Sequence, residues 1–189
     1  MQRALELTLA HKERGHHARA LKLLGDVMAT ASPADPGAAE DSYRQALALA
    51  GELGMRPLTA QTLLGLGRLL QKTGRPAQAA DHLSDALLLL QDMGMRPWLS
   101  STVDELQTLG RLFIVARSKP ALYDNLKREL GGRPVTVMLD RREGEQGQRR
   151  RAGAPGQRAR DRRRRAAFDE TLRTRGFAVV VATEHAASA

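Results

Sequence analysis

The residue best placed for chemistry is Asp140, which closes the run "PVTVMLD" (134–140). A carboxylate at the end of an α/β strand stands where such sheets often place functional groups. One reading is a phospho-acceptor, and the favoured one is a carboxylate that pairs with Arg141 or Arg142. Phospho-acceptor chemistry needs further acidic residues to hold Mg²⁺. The first β-rich run, "RLFIVA" (111–116), ends without one. Ser118 and Lys119 follow that run without a base or an oxyanion site beside them. "GLGRLLQKTG" (65–74) has the residue types of a phosphate loop, but in the wrong order and inside a helical run. "GGRP" (131–134) leads into a strand and not into a helix, so it is no dinucleotide fingerprint. No catalytic residue and no cofactor site emerges. Asp140 stands as the minor alternative of a phospho-acceptor or enzyme.

A second chemistry is phosphate contact. Between Arg141 and Arg165 lie eleven arginines against Glu143, Glu145 and Asp161, a net +8 of the chain's +9. The rest of the chain is close to neutral. Arg149, Arg150, Arg151, Arg162, Arg163, Arg164 and Arg165 are the candidate contacts to nucleic acid or an anionic surface. The stretch has no aromatic residue to stack on bases, and no reading module precedes it. Its near absence of apolar residues predicts disorder. Weak, non-specific phosphate affinity is therefore the alternative function.

Other classes fall away on composition. With no cysteine, disulfides and thiolate metal sites are excluded, and the five histidines form no ligand spacing. No apolar run approaches the roughly 20 residues needed to cross a bilayer. The segment "MQRALELTLAHKERG" lacks the layout of a signal peptide. A cytoplasmic location is the expectation.

What positions these groups is read from a repeat. "GMRP" occurs at 54–57 and again at 94–97. With Gly54 set on Gly94, Asp41, Ala46, Leu47 and Leu49 fall on Asp81, Ala86, Leu87 and Leu89. Leu63, Leu66, Gly67 and Leu70 form one helical stripe, and Leu21, Leu24, Gly25 and Met28 match it 42 residues earlier. Second helices follow, carrying Ala39, Tyr43 and Ala46, then Ala79, Leu83 and Ala86. Gly54 and Gly94 suit the left-handed position that ends a helix. Pro57 and Pro97 suit the first turn of the next. Met55 and Met95 tuck under the joint. Ala4 and Leu5 take the second-helix place of an earlier unit whose first helix is absent. Val103 and Leu106 open a last unit with no second helix.

The spacing of Leu63, Leu66, Gly67, Leu70, Gly74, Ala79, Leu83 and Ala86 resembles tetratricopeptide repeats, with a longer period. "YRQALALAGELGMRPL" and "LLGLGRLLQKTGR" further resemble the C-terminal repeats of bacterial ATPase and adenylate/guanylate cyclase-like signalling proteins. The resemblance covers roughly residues 2–109. It implies a non-catalytic protein-interaction module, the C-terminal part of a larger regulator. It also implies a peptide groove on the first helices, at Arg19, Lys22, Asp26, Gln61, Leu64, Arg68 and Gln71. Arg19, Lys22 and Arg68 favour an acidic peptide.

The sequence thus predicts a mainly α protein. Residues 1–110 form helical hairpins of an α-solenoid. Residues 111–140 and 166–183 form a small three-stranded α/β unit. Residues 141–165 are a disordered basic insertion, and 184–189 a tail.

Overall fold

The computed structural model describes residues 6–7, 13–31, 35–110, 112–131, 136–140, 166 and 168–180. The expectations for Ala4, Leu5, residues 141–165 and the tail lie outside them. The chain divides into two compact units between Leu109 and Gly110.

The first unit is helical: α1 (Arg14–Thr30), α2 (Pro36–Glu52), α3 (Arg56–Lys72), α4 (Pro76–Asp92) and α5 (Arg96–Leu109). The boundaries follow from local chemistry. Asp35 caps α2 by accepting the Ala38 N–H at 3.0 Å. Pro36, Pro57 and Pro76 sit in the first turns of α2, α3 and α4, where a missing N–H costs nothing. Gly54, Gly74 and Gly94 end α2, α3 and α4 with φ of 63°, 74° and 66°. At the first joint Gly54 N–H reaches Gly51 O at 3.1 Å and Met55 N–H reaches Ala50 O at 2.8 Å. Both bonds recur at the other two joints, so each is a Schellman stop. Met55 is half-buried against Ala18, Ala50 and Leu58.

The helices pair as the repeat requires, α1 with α2 and α3 with α4, and each hairpin packs on the next helix. Leu63, Leu66, Leu70, Leu83 and Ala86 are all buried. Small residues set the closest approaches. A Cβ on Gly67 would lie 2.6 Å from Leu83 Cγ. The Tyr43 ring of α2 fits between Gly25 of α1 and Gly65 of α3, where added Cβ atoms would meet it at 2.8 and 3.0 Å.

The arginine of "GMRP" has its own role. Arg56 pairs with Asp92, tying the start of α3 to the end of α4. Arg14 pairs with Glu52 in the same way across α1 and α2. These pairs are exposed and each adds well under about 1 kcal/mol. Both ends of the array are distinct. Leu23 and Val27 of α1 are 50% and 49% exposed, whereas Leu69, the counterpart of Val27, is 3% exposed. In α5, Gln107 replaces the small Gly67, and its Nε2 is buried with no partner among the described residues.

The second unit holds β1 (Leu112–Val115), α6 (Pro120–Glu129), β2 (Thr136–Leu139), a helical stretch at 168–175 and β3 (Phe177–Val180). The strand order is β2-β1-β3. β1 runs parallel to β2, as a strand–helix–strand unit demands, with Leu112 opposite Thr136. β3 is antiparallel to β1, with Leu112 opposite Val180. Phe113 and Phe177 are fully buried and stacked, with ring centroids 6.5 Å apart. Leu122, Leu126 and Leu172 add to this aliphatic core.

Candidate functional site

The first helices of the hairpins, α1, α3 and α5, share one face. A cavity of about 270 Å³ opens on it. Its floor is Leu64, which is 1% exposed, together with Gly65 and the Tyr43 ring. Leu69 and Ala29 form apolar walls, and Trp98 of α5 closes one side while leaving 39% of its surface exposed. Lys22, Asp26, Gln61, Arg68 and Lys72 form the rim.

Lys22, Asp26 and Arg68 are each held by side-chain hydrogen bonds. Tyr43 donates its hydroxyl hydrogen to Asp26 Oδ1 at 2.7 Å. Lys22 Nζ donates to Asp26 Oδ2 at 2.5 Å. Asp26 is thus shared between a buried phenol and an ammonium one turn away on its own helix. Burial, and next the Asp26 carboxylate, push the Tyr43 pKa well above its ordinary value, so the phenol stays a donor. On the other side Arg68 Nε donates to Glu105 Oε1 at 2.8 Å, and its Nη2 donates to Ser101 Oγ at 2.9 Å. Arg68 therefore binds α3 to α5 while facing the cavity.

The seven residues expected on this groove divide. Lys22, Asp26, Gln61, Leu64 and Arg68 come together at the cavity. Leu64 belongs to its floor and presents almost no surface. Arg19 is exposed on α1 but does not line it. Gln71 gives its amide to Thr108 Oγ1 at 2.6 Å. Tyr43, Lys72 and Trp98 join the lining without being expected from the repeat pattern. Trp98 carried a signal, being the one tryptophan in the chain and directly following the second "GMRP". Tyr43 reads as a core position because it aligns with Leu83.

Residues 35–92 match the tetratricopeptide repeat family model. The match opens at the Asp35 cap and closes with Asp92, so it spans α2, α3 and α4. No curated protein and no solved structure matches the chain. Tetratricopeptide repeats generally mediate protein–protein contact and are generally non-catalytic.

The other candidate sites fare differently. Asp140 follows β2, and its N–H donates to Val115 O at 2.7 Å, extending the β1–β2 pairing by one residue. The seven candidate arginines, Arg149, Arg150, Arg151 and Arg162 to Arg165, lie outside the described residues. Among the described residues no group of three His, Asp or Glu side chains is placed to hold a metal ion. No helix among them is long and apolar enough to cross a membrane.

Proposed function

We propose that the protein is a scaffold module that binds a peptide segment of a partner protein on the face formed by α1, α3 and α5. The observation that carries this reading is the cavity over Tyr43. It is concave, largely apolar and bordered by a few fixed polar groups, the usual form of a recognition pocket. It lies on the repeat hairpins, whose family generally serves protein contact. The resemblance of roughly residues 2–109 to repeats of ATPase and cyclase-like regulators supports a bacterial signalling role for that contact. The test uses the full chain with a photo-reactive residue placed at Gln61 on the groove or at Gln78 on α4. Covalent adducts with partner protein are expected from Gln61 and not from Gln78. Equal adducts from both, or adducts from Gln78 alone, would reject the assignment of this face.

A further inference from the structure

We infer that the cavity over Tyr43 selects one apolar side chain of a peptide that carries a single nearby carboxylate, with Lys72 as the partner of that carboxylate. This rests on the reading of the α1, α3 and α5 face as the peptide-binding surface, and it specifies what that surface takes.

Size is the first argument. Pockets for whole drug-sized ligands run from about 300 to 1,000 Å³. At about 270 Å³, this one fits a large side chain better than an entire small molecule. The walls are the second. Leu64, Leu69, Ala29, Gly65 and the exposed part of Trp98 surround the space with apolar atoms. An aliphatic or aromatic side chain gains most by entering it.

Charge is the third argument, and it decides the neighbouring residue. Three cations face the cavity, and two of them are already engaged. Lys22 is held by Asp26 at 2.5 Å, and Arg68 by Glu105 at 2.8 Å. Lys72 is exposed and has no ion-pair partner among the described residues. Asp26 and Glu105 repel any further carboxylate brought close to the paired cations. The rim therefore accepts one acid beside Lys72 and disfavours a polyacidic run. This departs from the expectation that Arg19, Lys22 and Arg68 together favour a generally acidic peptide.

The chain reports its own occupancy, because Trp98 is its one tryptophan and stands in the cavity wall. Random decamer pools provide the probe for the full-length protein. One pool fixes a central Leu with a Glu within two residues. A second replaces that Leu by Ser, and a third replaces that Glu by Lys. The Leu-Glu pool is expected to shift Trp98 emission on binding. Loss of the Leu is expected to weaken binding about tenfold or more, the scale of burying one aliphatic side chain. Exchange of Glu for Lys weakens it about threefold, as for a partly exposed ion pair. In Lys72→Glu the Glu-over-Lys preference reverses, while the unfolding midpoint falls only slightly, by the loss of an exposed cation from the last turn of α3. Binding that ignores the Leu, or leaves Trp98 emission unchanged, overturns the socket and spares the broader surface. Binding insensitive to Lys72→Glu overturns the assignment of Lys72. Failure of every pool to bind contradicts both readings.

Discussion

Gly67→Ala tests the packing that holds the groove in shape. An alanine Cβ at this position would lie 2.6 Å from Leu83 Cγ and 2.8 Å from Leu83 Cδ2. Carbon atoms prefer about 3.5 to 4.0 Å, so both contacts fall short by the better part of an ångström. Leu83 is fully buried and cannot swing into solvent. Overpacking of this kind costs about 1 to 3 kcal/mol. Against it stands the helix preference of alanine over glycine, about 1 kcal/mol. Two contacts below 3 Å on a fully buried side chain place this site in the upper part of the overpacking range, about 2 to 3 kcal/mol, so the balance is a net loss of about 1 to 2 kcal/mol. In a domain of about 100 residues that lowers the midpoint by roughly 5 to 10 °C. Gly51→Ala is the control. It lies in the last turn of α2 with nothing within 4 Å of the added carbon. There only the propensity gain acts, so stability rises by a few tenths of a kcal/mol, or about 1 at most. Thermal and urea unfolding followed by far-ultraviolet circular dichroism reads both. If Gly67→Ala matches or exceeds the wild type, α3 and α4 do not approach as described.

Three further outcomes follow from the same geometry. Tyr43→Phe removes the hydroxyl bonded to Asp26 and should cost about 1 to 2 kcal/mol in urea unfolding, because the acceptor is charged but partly solvated. Arg56→Ala should change stability by less than about 1 kcal/mol in the same assay, since its pair with Asp92 is exposed on both sides. Glu40 has its pKa held below the ordinary carboxylate value, chiefly by the Arg75 hydrogen bond. Its contribution is therefore complete above the ordinary carboxylate range and fades as pH falls through the lowered folded value. Glu40→Gln should accordingly flatten the acid limb of the stability profile, read as unfolding midpoint against pH.

The sequence makes the hairpins legible because their joints are written in residues with little conformational choice. Gly54 and Gly94 must adopt positive φ, and Pro57 and Pro97 must start helices, so the register is fixed before any packing is known. Five of the expected groove residues meet at one cavity for the same reason: helical period places them on one face. What charge the groove presents is not legible that way. Arg68 finds Glu105 and Ser101 from residues 37 and 33 positions away, and that pairing depends on how α5 lies against α3. Lys22 and Asp26, by contrast, stand four apart on one helix and their pairing follows from spacing. In the second unit the parallel β1–β2 pair follows from the short helical crossover. The antiparallel entry of β3 does not, because the long arginine-rich stretch before it allows either direction.

The proposed seat of partner contact is the face of α1, α3 and α5. Amide hydrogen exchange of the full chain with and without the best Leu-Glu decamer measures it directly. Slowed exchange is expected in α1 and α3 around Asp26 and Arg68 and in α5 around Trp98, with the outer turns of α2 and α4 unchanged. Slowing confined to α2 and α4, or to residues 112–131 of the second unit, would contradict it.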